Sequence, residues 1–358
     1  MKIIACHLLN DYSGSPKVLM QLIKGWTKNR LNVTIVTSGK REGFLSDLND
    51  VSYSYFWYKW SKNKIIRLVY FLLSQLFLFF KIIAIAHRND IIYVNTVLPF
   101  GAALGGKLKG CRVIYHIHET SVSPAILKKF LFGTVQYTAS EIIYVSNYLS
   151  NCEQIKKIKQ HILYNAIEDE FHSKGIKTVN RNQEHKNILM ICSLKKYKGV
   201  LEFIELARLN PLYNFKLVVN AQQTEVDTFF KEIMLPSNVL IYPVQNDTHP
   251  FYSWADIILN LSRKDEWIET FGLTVIEGMA YHLPAIVPPI GGIAELVENY
   301  KNGFLVDSSD ISLLSEKLKE ILNNKELYAA MKKNSASKIN SFREEAFISK
   351  SLSILNIK

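Results

Sequence analysis

What the chain of 358 residues lacks narrows its class before any motif is found. Its four cysteines, Cys6, Cys111, Cys152 and Cys192, are scattered, with no C-x-x-C or C-x-x-H pair to start a zinc site, so they read as free thiols in a reducing compartment. No G-x-G-x-x-G follows the strands that open the two halves; DYSGSP and CSLKKYKG stand there instead, which argues against a nicotinamide or flavin dehydrogenase. No Asp-x-Asp is present to hold a divalent metal between carboxylates and a diphosphate, and no metal or other cofactor is expected. The opening MKIIACHLLNDYSG lacks the apolar core and small-residue cleavage site of a signal peptide, which places the protein in the cytoplasm. The uncharged run Leu68–Phe80 is 13 residues long, interrupted by Ser74 and Gln75 and bounded by Arg67 and Lys81. That is short of the ~20 residues of a spanning helix, so a crossover helix packed on the first sheet is expected there.

The composition, 48% hydrophobic and 21% charged, is that of a globular protein, and the length suits two domains. Short β-branched runs alternate with longer amphipathic stretches, the pattern of a parallel α/β sheet. In the first half the strands are expected at Lys2–Leu8, Val33–Ser38, Asp90–Asn95, Arg112–His118 and Glu141–Ser146, with helices at Gly14–Lys28, Lys64–His87, Pro124–Thr138 and after Asn147. The polar segment 175–186, GIKTVNRNQEHK, reads as a linker. Beyond it, strands are expected at Asn187–Cys192, Phe215–Asn220, Val239–Tyr242, Asp256–Leu261 and Ala285–Val287, with helices at Gly199–Leu209, Glu225–Met234, Phe271–Tyr281, Ala294–Glu298 and Ile311–Leu322. The division is 1–174, 187–335, and a helical segment 336–358 packing back toward the first domain.

Two features carry the chemistry. In 266–307, EWIETFGLTVIEGMAYHLPAIVPPIGGIAELVENYKNGFLVD, Glu269 precedes a helix start at Phe271-Gly272-Leu273 and Glu277 lies one turn after Leu273 on one face. Free amides of a first helical turn, with the positive end of the helix dipole, suit a diphosphate. The stretch resembles the signature of glycosyltransferase family 4, two glutamates separated by seven residues with Phe-Gly between. SLKKYKGV at 193–200 is similar to the family's loop carrying Lys-Gly, here Lys198-Gly199; Ser193 stands where an arginine is usual, and Lys195 is the nearest cation to replace it. Gly291-Gly292 with Glu295, and Asn302-Gly303, resemble two further turns of the family. In the first half, VIYHIHET places His118 at a strand end like the family's His-Asp or His-Glu, Ser13-Gly14-Ser15 matches its glycine-rich loop loosely, and Asn165 to Glu168 with Phe171 matches a motif before the linker. His116, deeper in the strand, reads as a satisfied core residue.

The resemblance implies a GT-B fold, two Rossmann-like domains with parallel sheets facing across a cleft, and retaining transfer of a sugar from a nucleoside-diphosphate sugar to a hydroxyl. It implies Glu269 and His118 at the donor sugar, Lys198, Lys195 and the helix start at Phe271-Gly272-Leu273 around the diphosphate, Glu277 at the ribose, and Gly14, Gly291 and Gly292 in loops facing the donor. An epimerase of the same fold and a non-catalytic nucleotide-sugar-binding protein are the alternatives. Residues 1–170 hold 21 Lys/Arg against 11 Asp/Glu, while 171–358 hold 22 against 21, so nearly all the excess charge sits in the first half. With Trp57, Tyr58 and Trp60 among Lys59, Lys62, Lys64 and Arg67, and a second patch at Lys128, Lys129, Phe130 and Phe132, this half is expected to dock peripherally on an anionic membrane and receive a lipid-linked saccharide for polysaccharide synthesis. No nucleic acid is expected as a partner.

Overall fold

The computed structural model describes residues 1–39, 41–177 and 186–357. They form two compact units, Met1–Asn165 with Glu345–Lys358, and Ala166–Glu344. The first holds β1 (Ile3–Cys6), α1 (Gly14–Lys28), β2 (Val33–Ser38), β3 (Val51–Phe56), α2 (Lys64–Ile85), β4 (Ile91–Asn95), α3 (Phe100–Leu108), β5 (Arg112–Ile117), α4 (Ala125–Thr138), β6 (Glu141–Tyr144), α5 (Asn147–Cys152) and β7 (Lys159–Ile162). The second holds α6 (Asp169–Lys177), β8 (Asn187–Cys192), α7 (Val200–Leu209), β9 (Asn214–Val219), α8 (Gln223–Phe230), β10 (Val239–Tyr242), α9 (His249–Trp254), β11 (Ile257–Leu259), α10 (Leu273–Ala280), β12 (Ala285–Val287), β13 (Gly303–Leu305), α11 (Ile311–Asn323) and α12 (Lys325–Lys338). A last helix, α13 (Glu344–Leu355), returns the chain to the first unit.

Both sheets are parallel throughout, ordered β3-β2-β1-β4-β5-β6-β7 and β10-β9-β8-β11-β12-β13. In each, the order reverses between the unit's first and fourth strands, the point beyond whose carboxyl ends ligands bind in doubly wound sheets. Central strands such as IIAC and IIYVN are buried at every residue, because helices cover both faces of a parallel sheet. The edge strands β3, VSYSYF, and β7, KQHI, are part-exposed and mixed in character; hydrophobic periodicity misses them both.

The linker reading is corrected in part: residues through Lys177 continue α6, and 178–185 lie outside the described residues. The first unit ends at Asn165, ahead of the expected limit at 174, because α6 packs on α10. A Cβ on Gly175 would stand 2.5 Å from the Ala280 carbonyl oxygen, so the two backbones approach as closely as glycine allows. The helix expected at Ala294–Glu298 is a 3₁₀ turn, Gly292–Leu296. The last helix is fixed to the first unit at both ends. Ile348 fills the space a side chain at Gly25 would take, Trp26 donates to Ser351 Oγ at 3.1 Å, and the Arg112 guanidinium donates to the carbonyls of Ile354 and Leu355 at 2.6 and 2.8 Å.

The helix expected at Lys64–His87 is present as α2, continuous over 22 residues and by length and composition alone apolar enough to cross a membrane. Ser74 and Gln75 do not interrupt it, because they face inward. Ser74 Oγ donates to the Phe71 carbonyl at 2.6 Å, and Gln75 Oε1 accepts from the Gly101 amide at 3.1 Å, capping the first turn of α3. Helix α3 carries three glycines, which hides it from propensity rules. It needs them: a Cβ on Gly101 would lie 2.1 Å from the Gln75 carbonyl oxygen. Gly101→Ala is expected to lower the unfolding free energy by about 1–3 kcal/mol in a denaturant titration, the usual cost of overpacking. Unchanged stability would mean that α2 and α3 are not in contact.

Candidate active site

Three loops at the carboxyl ends of β8, β11 and β12 converge on Glu269. The first runs through a 3₁₀ turn, Lys196–Lys198, into α7. Between them Gly199 takes φ +77°, with its Cα so close to the loop after β11 that a Cβ would meet the Leu261 carbonyl oxygen at 2.0 Å. That contact fixes where Lys198 can stand. Its Nζ donates to Glu269 Oε1 at 2.6 Å, and Ser262 Oγ donates to the same oxygen at 2.7 Å. The pair is largely buried, the two side chains 14% and 17% exposed, so salt screens it little. The Tyr197 and Trp267 rings stack 5.2 Å apart, and Lys198 Nζ lies 4.8 Å from the Trp267 ring centre, a cation over an aromatic face.

The third loop closes the arrangement from the other side. Gly291 takes φ +97°, and a Cβ there would lie 2.4 Å from the Glu269 carbonyl oxygen. Gly292 follows as the buried first residue of its 3₁₀ turn. Gly272 caps α10 against Ile293 and Leu296, with Phe271 buried before it and Leu273 as first helical residue. Backbone bonding of α10 begins with Val275 and Ile276, both onto the Gly272 carbonyl. The amides of Leu273 and Thr274 therefore precede the helical ladder, at the positive end of the dipole. Glu277 lies one turn further along, where Tyr252 donates to Oε2 at 2.7 Å. Burial and the neighbouring Glu277 hold the Tyr252 hydroxyl well above its ordinary range, so it stays a donor. Phe171 of α6 packs edge-on to Tyr252, with ring centres 5.7 Å apart, which gives the motif at 165–171 a supporting place. Lys195 is exposed at the start of its turn and carries no charge pair comparable to that of Lys198.

In the first unit His118 stands just past β5, with a partly buried group around it. Asn95, at the end of β4, donates from Nδ2 to the Ser15 carbonyl at 3.0 Å and lies 3.1 Å from His7 Nδ1. Its Oδ1 is then the acceptor for His118 Nε2 at 3.0 Å, which assigns the His118 proton to Nε2. Gly14 is the exposed first residue of α1, one position before Ser15. Burial holds His118 well below the ordinary imidazole range, with His116 and His7 adding to the effect, and lowers His7 to about 4 and His116 to about 3. All three are neutral at pH 7. His116 is a core residue as expected, although only its Nδ1 is bonded, to Tyr93 at 2.9 Å; Nε2 is buried without a partner. Glu119 accepts from the amides of His118 and Val97 at 3.0 and 3.3 Å, yet burial raises it to about 7.

Sequence reasoning missed Ser262, Tyr252 and Tyr197 as partners of the glutamates and lysine, and missed His7 and Asn95. The last two carry a readable signal, since each is polar at or just past the carboxyl end of a strand beside the reversal of strand order.

Residues 173–338 match the family model described as glycosyl transferases group 1. The chain is 25% identical to N-acetyl-alpha-D-glucosaminyl L-malate synthase of Bacillus anthracis over 75% of each chain, and 26% identical to an uncharacterized glycosyltransferase of Methanocaldococcus jannaschii over 68% of this chain and 69% of that one. Among solved structures it is similar to Anabaena HepE in complex with UDP and glucose, with TM-score 0.81 and 19% identity over 99% of each chain.

The raised Glu119 gives a pH test. Its pKa rises from an ordinary 4.5 to about 7 on folding, so the folded state binds more protons between those values and stability falls as pH rises through that window. The depressed histidines act in the opposite sense, losing stability as pH falls below their unfolded pKa. Glu119→Gln removes only the first contribution. The difference in unfolding free energy, wild type minus variant, should therefore decline from pH 4.5 to pH 7 and level off above; a flat difference would contradict the burial of this carboxyl.

Proposed function

We propose that the chain, whose residues 173–338 match the glycosyl transferases group 1 model, moves a sugar, with retention of anomeric configuration, from a nucleoside-diphosphate sugar to a hydroxyl of a lipid-linked saccharide in cell-surface polysaccharide synthesis. The observation that carries this reading is the Lys198–Glu269 pair in the loops before α10, whose first-turn amides follow Gly272 and whose Glu277 lies one turn further along. A departing diphosphate gains negative charge as the anomeric carbon gains positive charge, and both need preorganised partners. Lys198 and the amides of Leu273 and Thr274 are assigned to the diphosphate, with Gly291 and Gly292 as the loop against it. Glu269 is assigned to the sugar and Glu277, oriented by Tyr252, to the ribose hydroxyls. His118, neutral with its proton on Nε2, is assigned to the sugar as a hydrogen-bonding partner. The UDP and glucose held by Anabaena HepE support a donor of this class.

Without donor, Lys198 is neutralised by Glu269, and a bound diphosphate must compete for it. Glu269→Gln is thus expected to lower turnover at least about tenfold without weakening the affinity for the bare nucleoside diphosphate. Lys198→Ala should weaken both. Titration calorimetry with the nucleoside diphosphate, beside initial rates of sugar transfer, separates the two; unchanged affinity in Lys198→Ala removes this lysine from the diphosphate. Because cations and amides carry the leaving charge in this reading, transfer should survive EDTA, and full loss restored by magnesium would replace it with a metal-dependent one.

A further inference from the structure

Among the described residues, the outer face of α2 is largely exposed. Phe71, Ser74, Gln75, Leu78 and Ile82 are buried, and α3 packs on this helix. On the opposite face Ile65, Val69, Leu72, Leu73, Leu76 and Phe80 are between 42% and 75% exposed, and no charge interrupts them between Arg67 and Lys81. An apolar stripe of this length, about 24 Å at the helical rise, marks an interaction surface in a protein with a well-filled core. Trp57, itself 43% exposed, lies edge-on to Tyr70 and Phe77 of the helix at 5.3 and 6.0 Å, and Arg67 lies over the exposed Trp60 ring at 5.7 Å. The stripe thus continues into an aromatic and basic border at the amino end of α2.

Charge identifies the occupant. Between Asp50 and Asp90 the sequence has six Lys/Arg, Lys59, Lys62, Lys64, Arg67, Lys81 and Arg88, and no Asp or Glu. A second copy of the chain would set these cations against each other, whereas an anionic surface neutralises them. Connectivity sets the depth. β3 ends at Phe56 and β4 begins at Ile91, and both lie in the same parallel sheet, so α2 is tied at each end to a folded unit and cannot stand across a bilayer. We infer that α2 lies in the plane of an anionic membrane, with its Ile65–Phe80 face in the acyl boundary, Trp57 and Trp60 at headgroup level, and Lys59, Lys62 and Lys64 on lipid phosphates. The second patch expected on α4 is weaker, because Lys128 is paired with Glu153. The inference stands on this surface alone, whatever the second unit's donor proves to be.

Co-sedimentation with vesicles of phosphatidylglycerol and phosphatidylcholine tests it on the full chain. The protein should pellet with the mixed vesicles at low salt, stay in solution with phosphatidylcholine alone, and dissociate as screening grows. Replacing Lys59, Lys62 and Lys64 together by Glu should weaken partitioning at least about a hundredfold, at roughly 1 kcal/mol per charge. Leu72→Glu with Leu76→Glu, both on the exposed face, should abolish it while leaving thermal unfolding and nucleoside-diphosphate binding unchanged. Wild type that stays in the supernatant overturns the inference. So does a dimer in solution that the two glutamates dissociate while vesicles are ignored, since a second copy would then cover the face.

Discussion

The second unit is organised around one contact, Lys198 Nζ on Glu269 Oε1, and two glycines decide where it forms. Gly199 brings the loop after β8 against the backbone of Leu261, and Gly291 brings the loop after β12 against the carbonyl of Glu269 itself. A side chain at either position would push a loop away, so the pair depends on backbone proximity as much as on charge. A largely buried ion pair is weak evidence for stability, because desolvation offsets most of its attraction. Under the proposed function, a cation held in low dielectric beside a carboxylate would exchange that partner for a phosphate oxygen at little reorganisation cost.

The first unit follows a different logic, in which burial rather than pairing sets protonation. His7, His116 and His118 are neutral because they are desolvated, with His116 and His7 adding to the effect at His118, and Asn95 fixes the tautomer of His118 by turning its oxygen toward Nε2. The register brings these groups together. Asn95 sits opposite His116 across the β4–β5 pair, so His118 emerges two residues further, just past the strand end.

Much of this was legible in the sequence, and the reasons are specific. The alternation of buried strands with amphipathic helices located β1, β2, α1 and α4 within a residue or two of an end, because parallel central strands are continuous apolar runs. The glutamate spacing and Lys-Gly marked Lys198, Glu269 and Glu277. The edge strands β3 and β7 escaped because their residues are mostly part-exposed or exposed and mixed in character, and α3 because its glycines serve packing rather than propensity. The inward turn of Gln75 was invisible too: a polar residue in an apolar run reads as an interruption until the amide it caps is known. Ser262 and Tyr252 carry no motif, and only the folded loops bring them to the glutamates.

The central claim is that the Lys198–Glu269 pair is the resting form of a diphosphate seat. A crystal structure of this chain with a nucleoside-diphosphate sugar tests it most directly. The account predicts Lys198 Nζ off Glu269 and on the phosphate oxygens, with the diphosphate at the amides of Leu273 and Thr274 and the sugar beside Glu269. A bound nucleotide sugar with the Lys198–Glu269 pair unbroken and the diphosphate elsewhere would contradict it.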